Sequence, residues 1–237
     1  MRELLGPEDG NGPQIDAQSF ASQAPDGRSV LGLLAQAIPT TLRALSRGTR
    51  PPAAMASGAV FLDMAARTTV ADTGRQADQV AMVGNRKVTA YVRVVELPAC
   101  SRCIILSGRE YGTTAGFLRH PRCDCTMQPI TKRSRKRIQV PDPEEIFERM
   151  TPAQRKAAFG EAGAKAIQDG ARISSVVNAR KGMAVVEAYG KRVQATYSGT
   201  GRRRANNSPR LMPEEIYRIA DSRTEAIRLL YRNGYLR

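Results

Sequence analysis

The sequence of 237 residues contains no tryptophan, one histidine and four cysteines. Aromatic side chains make up only 5%, so a core has to be assembled from Ala, Leu, Ile, Val and Met. A core of that kind favours helices packed at short range, with a minor β component. A single histidine leaves nothing for a multi-histidine metal nuclease, and a Ser-His-Asp triad would have to use His120. No apolar run approaches the roughly 20 residues of a membrane-spanning helix. The best stretch, Val30–Ile38, is short and stops at Pro39. The start, MRELLGPEDG, lacks a basic segment followed by an apolar one, so no signal peptide is predicted. The cysteines then belong to a reducing compartment, where clustered Cys and His more often hold metal than form disulfides.

Acidic residues are also scarce, 22 against 37 Lys and Arg, which leaves a net charge of +15. The excess is uneven. Residues 1–99 carry 10 basic against 9 acidic groups, residues 100–150 carry 10 against 6, and residues 151–237 carry 17 against 7. A basic balance concentrated in the last third favours polyanions, either nucleic acid or an acidic protein surface.

Periodicity predicts an α+β chain, mostly helical, with a small β element and a partly extended N-terminal arm. Residues 1–28 are rich in Gly and Pro and read as the arm; residues 29–86 read as helical. In the latter, Ser29 caps a short helix, Thr40–Pro52 is a helix or a linker, and a strong three-and-four spacing runs from Ala53 to a stop at Gly84-Asn85. Residues 87–137 form a β module. Lys87–Glu96 alternates as a strand, and Thr126–Ile130 is its expected partner. Residues 138–237 read as a basic helical region. It has Thr151 and Thr224 as helix caps, a break near Gly160–Gly163 and a stop at Gly234. The stretch after Val186 is loop-like or hairpin-like.

All four cysteines and the histidine fall within Cys100–Cys125, spaced Cys100-x2-Cys103, sixteen residues, His120-x2-Cys123-x-Cys125. A Cys-x2-Cys turn puts two thiolates on one side of a knuckle, and tetrahedral zinc takes two such pairs of S and N ligands. The preferred set is Cys100, Cys103, His120 and Cys123, with Cys125 as the alternative fourth ligand. Cys123 and Cys125 would share a face in an extended strand. Reduced buried thiols and disulfides are the competing readings. A site closed by four protein ligands is structural, because metal catalysis needs an open position. Glu110, the nearest acidic group in GREYG, reads as a loop residue rather than a catalytic acid, and no enzyme is predicted.

The order of these residues resembles the Mu F-like head-morphogenesis family, the minor head proteins of tailed phages, in the form found in phages of actinobacteria. The shared elements are Cys-x2-Cys, then Leu106-Ser107-Gly108, then His120-Pro121-Arg122-Cys123-Asp124-Cys125. The strand leading into Cys100, the VVNARKGM stretch and the RLMPEEIYRIADSRTEAIRLLYRNGYL terminus extend the resemblance over roughly residues 85–237. It implies a virion component inside the head near the portal vertex, made in the host cytoplasm. Its implied partners are the portal protein, the major capsid protein and packaged DNA held without sequence preference, with no membrane. Lys132, Arg133, Arg135, Lys136, Arg137, Arg202, Arg203, Arg204 and Arg210 are the candidates for that polyanion contact. The alternatives are a nucleic-acid-binding zinc protein, for which no recognition helix stands out, and a capsid maturation protease, for which no catalytic set stands out.

Overall fold

In the computed structural model, residues 16–117, 120–123, 125–188, 191–197 and 209–236 are described. The chain is α+β and mostly helical, with two three-stranded sheets. It divides into two compact units, one from residues up to 96 with 108–140, the other from 97–107 with residues from 141 on.

The first unit starts with part of the expected arm. Residues 17–20 form a 3-10 turn capped by Asp16, and Ala24 is buried against Leu33 and Ala65. Helix α1 (Val30–Ala35) has Ser29 as its cap, the Oγ accepting from the Gly32 amide at 2.9 Å. Residues 40–52, a helix or a linker by sequence, belong mainly to helix α2 (Ala37–Ser46). Pro39 is tolerated because it sits in the first turn, where no intrahelical donor is required. Helix α3 (Pro51–Gly84) is the longest element; Pro51 and Pro52 open it and Asn85 closes it. Its closest approach to α2 is at Gly58. A Cβ there would overlap the Thr41 hydroxyl and press to 3.0 Å from the Ala37 carbonyl oxygen.

Strand β1 (Val88–Val94) follows directly and is the centre of an antiparallel sheet in the order β2-β1-β3. Strand β3 (Thr126–Thr131) pairs along its full length, Val94 opposite Thr126 and Ala90 opposite Ile130. Strand β2 (Glu110–Tyr111) is short and lies opposite Val92 and Tyr91; the sequence pattern leaves it in a loop. Ala90, Val92 and Ile130 form one buried face, covered by Ile138 and Val140. The other face is buried too. Tyr91 stacks on Tyr111 with ring centroids 5.3 Å apart, and Phe117 tilts against both. The alternation of β1 therefore separates an aliphatic face from an aromatic one, and only Thr89 of the strand is exposed.

In the second unit, α4 (Ser101–Ile104) is a single turn, tied through Ser107 Oγ to the Pro141 carbonyl at 2.8 Å. Capping boxes start α5 (Pro143–Arg149), with Asp142 and Glu145, and α6 (Pro152–Phe159), with Thr151 and Gln154. The break expected near Gly160–Gly163 falls at Gly160, whose φ of 74° ends α6 before α7 (Glu161–Gln168). Helix α8 (Ile173–Ala179) precedes a hairpin of β4 (Met183–Ala188) and β5 (Lys191–Thr196), to which β6 (Arg210–Leu211) adds a third strand. Helices α9 (Pro213–Ile219) and α10 (Arg223–Arg232) close the unit. Ser222, not Thr224, caps α10: its hydroxyl accepts from the Glu225 amide at 3.2 Å. Serine and threonine both cap well, and the start of the turn selects between them. Val176, Val193, Leu211, Met212, Ile216, Leu230 and Tyr235 belong to the core of this unit.

Candidate metal centre

The first knuckle is built by its own backbone. Cys100 is the cap of α4, and its Sγ accepts from the Cys103 amide at 3.4 Å while the Ile104 amide reaches the Cys100 carbonyl at 3.1 Å. This turn places the Cys100 and Cys103 sulfurs 3.5 Å apart. A disulfide would need about 2.05 Å, and none joins these cysteines. Two sulfurs on one tetrahedral zinc, each roughly 2.3 Å from the metal, would stand about 3.8 Å apart. The observed separation is close to that edge.

The second knuckle is gripped from two sides by arginines. A tight turn joins the His120 carbonyl to the Cys123 amide at 3.1 Å. Arg122, at its tip, adopts φ of 61°, a left-handed conformation that non-glycine residues hold only when surroundings impose it. Here the surroundings are helix α3. The Arg122 amide donates to Thr68 Oγ1 at 3.0 Å, and its guanidinium meets Asp63 Oδ2 at 3.1 Å. From the next turns of α3, buried Arg75 donates through one nitrogen to both the Cys123 and Cys125 carbonyls, each at 2.9 Å, and pairs with Asp72.

Arg93 acts from the sheet side. It is among the most buried side chains of the protein, and its guanidinium carbon lies 4.3 Å from the Phe117 ring centroid. One of its nitrogens points at Cys125 Sγ at 3.4 Å and Cys123 Sγ at 3.7 Å. A buried cation needs compensating charge or dipoles; the ring face and electron-rich sulfurs provide them. Beside it, burial and the neighbouring Tyr111 hold the Tyr91 phenol above its ordinary pKa, with Arg93 pulling the other way. The Tyr91 hydroxyl donates to the Ala115 carbonyl.

Two sets of ligand atoms lie within 4.8 Å of one another: Cys100, Cys103 and His120 in one, Cys103, Cys123 and Cys125 in the other. Each of the five residues belongs to one of these sets and Cys103 to both, but neither set is the foursome of Cys100, Cys103, His120 and Cys123. His120 Nδ1 lies 2.8 Å from the Pro121 carbonyl oxygen. With the proton on that nitrogen, Nε2 keeps its lone pair for a metal. Sulfur-rich, largely buried donors fit zinc or another thiophilic ion.

The basic candidates fare differently. Thr131–Arg137 is a closed turn: the Thr131 and Ser134 side chains and amides bond each other at 2.9 to 3.0 Å, and both residues are buried. Lys132, Arg133, Lys136 and Arg137 project from it exposed. Arg135 is engaged by Glu110 through two parallel bonds of 2.7 and 2.8 Å, which also gives Glu110 a structural partner. Arg210 is corrected as a surface contact. It is buried, with its guanidinium carbon 4.0 Å from the Tyr235 ring centroid, because Tyr235 and β6 close over it. Arg202, Arg203 and Arg204 lie outside the described residues. Among the described residues, no helix is long and apolar enough to cross a membrane.

Sequence reasoning missed Arg75, Arg93 and Arg122, the three groups that hold the second knuckle. For Arg93 a signal exists: an arginine in the middle of Val-Thr-Ala-Tyr-Val-Arg-Val, a run too apolar for a solvated strand. No protein-family model, curated protein or solved structure matches the chain.

Proposed function

We propose that this chain is a structural minor head protein of a tailed phage, of the Mu F-like type, in which zinc bound by the Cys/His cluster staples a small β element. The observation that supports the reading is the grouping of the four cysteines and His120. Cys100, Cys103, His120, Cys123 and Cys125 offer ligand atoms within a few ångströms, as two overlapping sets. When bound, zinc supplies a crosslink, since a position closed by four protein ligands leaves no place for a reacting water. The chain's own residues do the rest. Arg75 and Arg122 fix the second knuckle on α3, and Arg93 places positive charge beside two of the sulfurs.

A three-stranded sheet with strands of seven, two and six residues has little core of its own, and small units of this kind commonly depend on metal or disulfides. The staple therefore serves presentation of surfaces rather than chemistry. The exposed Lys132, Arg133, Lys136 and Arg137 supply a contact for packaged DNA or an acidic portal surface, of the salt-sensitive kind. The test is quantitative mass spectrometry of washed phage particles, counting this chain against the portal subunit. From a few copies to about one per portal subunit is expected. Absence from washed particles, with the chain abundant in infected cells, overturns the reading and favours a free nucleic-acid-binding protein.

A further inference from the structure

Helix α2 and the first half of α3 form a hairpin whose two helices run in opposite directions, with Gly58 seated against Ala37 and Thr41. Ala54, Gly58 and Ala65 lie on the buried side of α3. One residue further along an α-helix the side chain turns by about 100°. In an antiparallel pair, that turn brings both helices' next residues to the same side of the hairpin. Those residues are Ile38, Leu42 and Leu45 on α2, and Met55 and Leu62 on α3; Leu31 on α1 continues the row seven residues before Ile38. All six are exposed, from 39% at Leu45 to 81% at Leu31. At roughly 200 Å² for a fully exposed residue of this size, they present about 700 Å² of accessible surface, most of it apolar. An ordinary largest patch on a monomer is about 300–600 Å². A standard stable interface takes about 800 Å² from each partner.

We infer that this face is covered by a second copy of the same chain, the two hairpins stacking about a two-fold axis into a four-helix layer. Three features select a copy of itself. The area matches what one side of a dimer contributes. The row itself is uncharged, with Ala59 between Met55 and Leu62 and Ala66 beyond them, and Asp63 and Arg67 border it. The α3 side therefore alternates large and small residues, and can receive the leucine ridge of a two-fold mate while offering its own. The third feature is electrostatic. In a chain of net charge +15, residues 1–99 hold 10 basic against 9 acidic groups, so the segment that carries this face is itself close to neutral and adds little repulsion between two copies.

The inference is independent of the metal and of the head-protein reading. It is tested by analytical ultracentrifugation of the full chain in reducing buffer, from about 1 to about 100 µM. A monomer–dimer equilibrium is expected in that range. Ile38→Glu and Leu42→Glu are each expected to raise the dissociation constant at least about tenfold, as charges at the centre of an apolar interface do. Ser57→Glu, on the other flank of α3 and exposed, leaves it unchanged. Circular dichroism reports whether each variant keeps its helices, and Leu42→Ala, milder in every respect, gives a smaller loss in the same direction. A wild type that sediments as a monomer throughout overturns the inference and assigns the face to a different protein. Glutamate variants that dimerise as well as Ser57→Glu overturn it equally.

Discussion

Two arginines on helix α3 form ion pairs with an aspartate on the same helix, and they should differ sharply in what they contribute. Arg67 pairs with Asp63 at 2.7 Å, four residues away, and both are well exposed. Arg75 pairs with Asp72, three residues away, but is buried and also donates to the Cys123 and Cys125 carbonyls. Replacing Arg67 by alanine costs under about 1 kcal/mol, because an exposed pair gains little over its hydrated parts. Replacing Arg75 by alanine removes two hydrogen bonds from a charged donor, worth about 1.5–3 kcal/mol each, and takes one partner from Asp72. The expected loss is about 3–5 kcal/mol, with the transition of the first unit lowered by about 10 °C at the sensitivity usual for a chain of this length. Arg75→Lys recovers only part, since one ammonium cannot repeat the planar guanidinium's fork. Thermal unfolding followed by circular dichroism, with and without added zinc, gives the comparison. Equal midpoints for Arg67→Ala and Arg75→Ala would refute the claim that Arg75 anchors the second knuckle.

Cys103 belongs to both ligand sets, so Cys103→Ser is expected to abolish stoichiometric zinc binding and lower stability sharply, as metal binding and folding are coupled. Cobalt substitution then separates four-sulfur from three-sulfur-one-nitrogen coordination through the visible spectra of His120→Ala and Cys125→Ser. Full zinc content in Cys103→Ser would refute the role of Cys103 as the ligand common to both sets. At the tip of the second knuckle, Arg122→Gly relieves the left-handed backbone while losing an exposed pair to Asp63, and its stability stays within about 1 kcal/mol of wild type. Arg122→Val suffers the backbone strain without the contacts and loses about 2 kcal/mol or more; chemical denaturation ranks the two, and the reverse order would contradict the strain argument. In the second unit, burial, aided by the hydrogen bond to Asp169, pushes the Tyr217 phenol pKa far above its ordinary value of 10.0. The folded chain then holds that proton more tightly than the unfolded one. Its contribution to stability is complete below pH 10.0 and falls as pH rises beyond it. Alkaline titration of phenolate absorbance should show Tyr217 ionising only with unfolding, and an early ionisation in the folded state would contradict this.

Much of the local structure is legible in the sequence because local rules decide it. Asp142 and Thr151, each followed three residues later by Glu or Gln, announce capping boxes, and these form. The alternation from Val88 to Val94 is a strand and Thr126–Thr131 is its partner. The convergence of the cysteines and His120 follows from ligand spacing. What spacing cannot reveal is long-range placement. Arg75 lies 48 residues before the Cys123 carbonyl it serves, and nothing local distinguishes it from Arg67. Glu110 looks like a loop residue because two-residue strands have no periodicity, and only its pairing beside Val92 defines it. Arg210 sits in a basic stretch, yet Tyr235, 25 positions later, covers its guanidinium.

The chain does not complete one unit before beginning the next. Residues 97–107 belong with the chain from 141 on, although both are separated by residues 108–140 of the first unit. A growing polypeptide therefore makes Cys100 and Cys103 early, returns to finish the sheet with β3, and only then produces α5 through α10. The early segment has to wait for Pro141, whose carbonyl accepts from the Ser107 hydroxyl. For the same reason no single cut separates the units. A truncation after residue 140 leaves eleven residues of the second unit stranded on the first, and a fragment starting at 141 lacks them. Expression of either half alone is expected to yield an incomplete fold.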